Sequence, residues 1–313
     1  MDGCQMAGVG DFKFIELTMP RVQTLSVVRT SFAELDKSAF ESAGRTLSSV
    51  DLSFDGIAAV HPAAFCPIAA NLVNLNLSSN NFVDLADVGV GGGSRRSCES
   101  FAKLRSLVLT GNAIERLTDD APIAAPNLEV LHLDRNRLNY IADRALVGFR
   151  HLRVLNLAHN SLNAVPSTLF DSANGGYLQE LYLQNNSLSI LPPGLFDGLS
   201  NLLVLNLSRN ALIASSVIFP KSLSKLVALD LSNNQLAAIE PDTFGHLVSL
   251  QVLNLAHNLI HSVSEKSFAS LSSLHALVLS HNHIDGLPRG AFNGLKALSS
   301  LSIDHNKLHS LLR

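Results

Sequence analysis

Histidine is the residue type that most invites a chemical reading. The chain carries twelve, eight of them after Gly245, and His257, His281 and His305 recur at 24-residue spacing. If successive coils of the chain stack about 4.8 Å apart, as neighbouring strands do, that spacing sets the imidazoles in a column. Three readings answer to such a column. Protonation between roughly pH 5 and 7 would set like charges against each other, a pH switch. A metal ion would find His281 and His283. Or the rings are ordinary solvent-facing choices, interchangeable with Arg135, His159, Asn185 and Arg209 at the same place in other repeats. A metal also needs a third ligand, which the spacing does not supply, so no metal ligand is assigned.

Other reactive groups are few. Cys66 and Cys98 lie one coil apart and are compatible with a disulfide or with two free thiols, while Cys4 has no partner. Asp119 and Asp120 lack a partner base and read as solvated surface. There is no G-x-S-x-G element, phosphate loop or zinc-protease helix. The chain therefore reads as a non-enzyme with no cofactor.

What must position these residues is a repeated unit, clearest at Leu250 to His275. Leu250, Leu253, Leu255, Asn258 and Ile260 spell L-x-x-L-x-L-x-x-N-x-L, followed by Val263 and Phe268, and the pattern restarts at Leu274. This resembles the signature of extracellular-type leucine-rich repeats. Within Leu253-Asn254-Leu255 the period is two, so the leucines face a core and Asn254 faces out from a short strand. Asn258 ends the strand, where its amide can bond backbone groups of its own coil and the next. Val263 and Phe268 bring the chain back along the outer side. One coil cannot bury its own apolar face, so only stacking is stable. The fold class expected is an α/β repeat solenoid: a leucine-rich-repeat horseshoe with a parallel sheet on the concave face and a mostly irregular, short-helical convex side.

The asparagine slot reads Thr30, Asp55, Asn80, Asn112, Asn136, Asn160, Asn186, Asn210, Asn234, Asn258, Asn282 and Asn306, giving about twelve coils over 21–313. Five residues beyond it runs an apolar column that includes Leu35, Val60, Leu117, Ile141, Ile239, Val263 and Leu311. Ten beyond it runs Phe40, Phe65, Phe170, Phe196, Phe244, Phe268 and Phe292, with Leu146 and Pro122 as substitutes. Two steps are long: 32 residues from Asn80 to Asn112, with an excursion over 86–103 holding Gly91 to Arg96, and 26 from Asn160 to Asn186, with a turn at Asn174. The coil at Asn210 departs, with Ser215 and Ser216 where an apolar residue belongs. Residues 1–20 read as an incomplete N-terminal segment without a recognisable secretory signal, and the last coil reads as truncated. A piece of a longer protein is expected.

Net charge is −3, with no long basic run, which disfavours nucleic acid and anionic membrane surfaces as partners. No stretch reaches the roughly 18 apolar residues of a membrane span. Asn76, Asn185 and Asn206 fit the N-x-S/T sequon, although L-N-L-S is also simply how this repeat is spelled. The outward strand positions His132, Asp134, Arg135, Asn156, His159, Tyr182, Asp230 and Asn254 are the candidate ligand contacts, against a background of ordinary solvated surface.

Phe65-Cys66-Pro67-Ile68, the run Asn71 to Asn80, and Asp84-Leu85-Ala86-Asp87-Val88-Gly89 with an insert ending at Cys98 resemble the corresponding part of insect Toll receptors of the long-ectodomain class. So do Leu181 to Leu188 and Leu191-Pro192-Pro193-Gly194-Leu195-Phe196. The resemblance implies a Cys66–Cys98 bridge and a fragment of a glycosylated receptor ectodomain on the outer side of the cell membrane. The parent would carry a signal peptide, a membrane span and a TIR domain, none of them in this chain. It also implies an extracellular protein ligand of the dimeric cystine-knot type and signalling by receptor homo- or heterodimers in innate immunity or development. The alternative is a soluble intracellular leucine-rich-repeat scaffold.

Overall fold

The computed structural model describes residues 21–41, 46–90, 98, 100–119, 123–170, 175–213, 219–241 and 243–309. The segment 1–20 with Cys4, the insert Gly91 to Arg96, and Asp120, Pro122, Asn174, Ser215, Ser216 and Leu311 lie outside these. The chain divides into two compact units, 1–155 and 156–313. Both are built from the same coil.

In the first unit the strands Thr24–Ser26, Ser49–Asp51, Asn74–Asn76, Ser106–Val108 and Val130–His132 pair in parallel in that order. Their central residues Leu25, Val50, Leu75, Leu107 and Leu131 are in register, and the last four are buried. The second unit repeats the arrangement with Glu180–Tyr182, Val204–Asn206, Ala228–Asp230, Val252–Asn254, Ala276–Val278 and Ser300–Ser302. Parallel pairing without hairpins follows from the repeat: every coil must leave the sheet, go round and re-enter in the same direction. The apolar column five residues past the slot forms the outer pairs Glu34–Leu35 with Ala59–Val60, Arg116–Leu117 with Tyr140–Ile141, and Ala238–Ile239 with Ser262–Val263. Helix is confined to short 3-10 segments at Leu85–Val88, Gly175–Tyr177 and Lys221–Lys225 among the described residues. None is long and apolar enough to cross a membrane.

The buried asparagines carry the polar half of the core. Asn258 Nδ2 donates to the carbonyl of Leu255 in its own coil and of Leu231 in the coil before, both at 3.0 Å, and its Oδ1 accepts from Leu236 N–H at 3.1 Å. Asn234 and Asn282 repeat the set in the second unit, and Asn112 and Asn136 in the first. The bonds thus reach back to the preceding coil, where the sequence suggested the following one. The reason is the turn just before each asparagine, which aims its side chain backwards.

Phenylalanines carry the apolar half. Phe40 packs against Phe65 with ring centroids 5.3 Å apart and the planes tilted by 33°. In the second unit Phe196, Phe219, Phe244, Phe268 and Phe292 form a continuous run at 6.0–6.4 Å. Phe219 lies nine residues past Asn210 instead of ten, which hid it in the sequence. The departing coil keeps its core contact all the same.

The excursion leaves the first unit through a 3-10 turn capped by Asp84, whose Oδ1 accepts from Ala86 N–H at 2.8 Å, and ends at Gly89 with φ 76°. A Cβ on Gly89 would sit 2.4 Å from Val60 Cγ1, so glycine is required there. The excursion is tied down again where Cys98 is bonded to Cys66, S–S 2.07 Å and Cα–Cα 5.0 Å.

Candidate binding surface and side-chain clusters

Strand alternation decides what the inner face displays. Of each three-residue strand the central residue is buried in nearly every coil, and the first and third stand outward. The third residue is often an Asn or Asp with a second task. Asn156 Oδ1 accepts from Ala158 N–H at 3.1 Å, Asp230 Oδ1 from Ser232 N–H at 2.9 Å, and Asn254 Oδ1 from Ala256 N–H at 3.1 Å. Asn76 and Asn206 do the same with Ser78 and Ser208. These are turns closed by a side-chain oxygen two residues upstream, so one face of each such residue is already used to end the strand. Asn76 and Asn206 are half-buried, whereas the third sequon asparagine, Asn185, is exposed.

In the first unit the candidate contacts His132, Asp134 and Arg135 lie together. Asp134 Oδ1 accepts from Thr110 Oγ1 at 2.8 Å and stands 3.7 Å from His132 Nδ1. Burial pushes the Asp134 carboxyl up, but the bonds from His132 and Thr110 outweigh it and the net position is below the usual carboxylate range. In the same unit Glu129 is shared by Arg105 at 3.2 Å and Arg153 at 3.7 Å, a partly exposed charge cluster. In the second unit Tyr182 donates its hydroxyl to Glu180 at 2.7 Å. Burial, then the Glu180 carboxylate, push this phenol up to about 12. His159 is exposed.

The residue before each slot asparagine is left-handed throughout. In the second unit His159, Asn185, Arg209, Asn233, His257, His281 and His305 have φ between 54° and 57°. In the first, Arg29, Phe54, Ser79, Gly111 and Arg135 have φ between 55° and 72°. Glycine, asparagine and histidine tolerate this region best, which accounts for Gly111 and for the asparagines and histidines found there without any appeal to ligands, though not for Arg29, Phe54, Ser79, Arg135 or Arg209. The geometry nonetheless brings three of them together. His257 and His281 stack with centroids 4.2 Å apart and 9° between planes, and His281 and His305 at 4.1 Å and 15°. The proposed pair of His281 and His283 is not what assembles: His283 Nδ1 sits 3.1 Å from the Asn282 carbonyl oxygen. Asp304 joins the column instead, its Oδ2 2.7 Å from His305 Nδ1 and its Oδ1 accepting from Ser280 Oγ. Those two bonds hold the Asp304 carboxyl down at about 2. Asp304 escaped the sequence reading because its column is mostly small or polar, yet Asp134-Arg135-Asn136 and Asp304-His305-Asn306 share a spelling that pointed to it.

The leucine-rich-repeat sequence family matches residues 102–162, 176–226, 224–284 and 272–312. The chain belongs to the leucine-rich-repeat family. No curated protein matches it significantly in sequence. Among solved structures, this leucine-rich-repeat chain is similar to a leucine-rich-repeat protein of Leptospira interrogans, at 26% identity and TM-score 0.76, covering 93% of this chain and 68% of that one. It is similar to Drosophila Toll in its glycosylated complex with Spatzle, at 26% identity and TM-score 0.78, covering 92% of this chain and 37% of that one. A plant peptide hormone receptor, RGFR1, in complex with RGF2 shares the fold at 23% identity and TM-score 0.65, covering 90% of this chain and 43% of that one.

Proposed function

We propose that this chain is the ligand-recognition part of an extracellular, Toll-type receptor that binds a protein partner, with the parent protein anchored in the cell membrane. The observation that carries the reading is the Cys66–Cys98 bond, which pins an excursion of the first unit to the preceding coil. Such bonds persist in oxidising compartments and are rare in the cytosol. Two features support it. The motifs around Cys66 and Cys98 resemble those of insect Toll receptors, and the likeness to Toll in complex with Spatzle extends over 92% of this chain. In this reading the strand faces are the working surface, with His132, Asp134 and Arg135 in the first unit as contacts. By resemblance the partner is a dimeric cystine-knot cytokine.

The test is thiol counting under denaturing, non-reducing conditions, with glycosidase digestion, after expression of the coding sequence in insect cells. The receptor reading expects one free thiol and a mobility shift that Asn185→Gln reduces. Three free thiols and no sugar would instead favour an intracellular interaction scaffold. Surface plasmon resonance against dimeric cystine-knot cytokines then tests the partner class, with Asp134→Lys expected to weaken binding.

A further inference from the structure

We propose that His281, Asp304 and His305 form a binding site for a late first-row divalent cation, of the zinc, nickel and copper kind. Each offers one ligand atom, and the three atoms lie within 4.8 Å of one another. They come from two successive coils of one unit, so the site is a product of stacking and not of local sequence.

Donor set and support both point to a metal of this class. Two imidazoles and one carboxylate suit zinc, nickel or copper, whereas calcium and magnesium ask for a shell of oxygens. Ligands of zinc stand about 2.0–2.2 Å from the ion, which requires donor atoms about 3–3.5 Å apart. Asp304 Oδ2 is 2.7 Å from His305 Nδ1, and all three ligand atoms lie within 4.8 Å of one another, so side-chain rotation alone must draw them onto an ion. All three side chains are exposed, and the stack holds the His281 and His305 rings side by side. The backbone beneath them is fixed. His281 N–H donates to the Asp304 carbonyl at 3.0 Å, and Asn282 and Asn306, donating to the Leu279 and Ile303 carbonyls, close the turns in which His281 and His305 stand. Ser280 Oγ donates to Asp304 Oδ1 and leaves Oδ2 to face the histidine, the kind of outer support that orients a ligating carboxylate. Because the ligands stand on ordered turns, binding sacrifices little conformational entropy. Three protein donors leave one coordination position open to solvent. His257 extends the stack on the far side of His281 and is not one of the three.

The inference is independent of the receptor reading and is tested separately. The full chain, without a histidine tag, is titrated with zinc chloride by isothermal calorimetry in a non-coordinating buffer at pH 7.5. One saturable site is expected. His281→Asn, His305→Asn and Asp304→Asn each weaken it at least tenfold; asparagine is chosen because it tolerates the left-handed turn. His246→Ala and His309→Ala, which alter exposed histidines outside the cluster, leave the dissociation constant within twofold. Far-UV circular dichroism establishes that each variant is folded. The site is overturned if no saturable binding occurs, or if any of the three asparagine variants, folded, binds zinc as the parent does.

Discussion

One atom separates Asp55 from the asparagines that follow it down the core. Its Oδ1 does what theirs do, accepting from Thr30 N–H at 2.7 Å and Thr30 Oγ1 at 3.0 Å. Its Oδ2 stands where the others carry an amide donor, and it is buried without a hydrogen-bond partner. Burial raises the carboxyl above its usual range in spite of the Thr30 bonds. The sign follows: a carboxyl raised in the folded state favours folding when protonated, and that advantage is lost as pH climbs from the unfolded value near 3.8 through the raised one. Asp55→Asn restores a donor and is expected to stabilise by about 1–2 kcal/mol at pH 7, with a smaller gain at pH 4, read from urea melts at both. The left-handed residues give a second expectation. Arg209, at φ 54°, has no glycine-like freedom, so Arg209→Val should cost about 1–2 kcal/mol and Arg209→Gly should not. Neither effect was legible in the sequence, because the turn appears there only as a run of unlike polar residues, Arg135, His159, Asn185 and His257. What they share is a backbone angle.

The coil itself was far more legible. Asn234 and Phe268 announce themselves because burial allows little substitution at a period of 24. Phe219 is the exception: a single-residue slip removes it from the column, although packing places its ring 6.2 Å from Phe196 and 6.0 Å from Phe244. Phe219→Ala should therefore cost about 3–5 kcal/mol, a core penalty in a coil whose sequence departs from the repeat. Calorimetric or denaturant unfolding checks this, and a loss below 1 kcal/mol would mean the ring is not part of the core. Asn234→Ala removes bonds to the Leu207 and Leu231 carbonyls and to Leu212 N–H. Expected losses are about 2–4 kcal/mol, with Leu212 N–H exchanging faster with solvent than its counterparts Leu236 and Ile260.

For the molecule as a whole, solenoid behaviour follows from contacts limited to neighbouring coils, so damage should stay local. The Cys66–Cys98 bond closes a separation of 32 residues within the first unit. Reducing it, or Cys98→Ser, is expected to cost about 3–4 kcal/mol. Hydrogen exchange should rise around Leu75 and Leu107 and stay unchanged around Leu253, at the other end of the chain. The bond could be placed in advance only through the Toll resemblance, since spacing alone left free thiols equally open. The proposed metal cluster was half visible: the histidines recur in phase, but Asp304 becomes a ligand only when two coils are laid side by side. That last point reaches beyond this cluster. In a chain that grows by copying whole turns, any side chain fixed once at the left-handed position reappears alongside itself after duplication, already oriented. A lone donor thereby becomes a chelating pair by gene copying alone, before any point mutation has refined it.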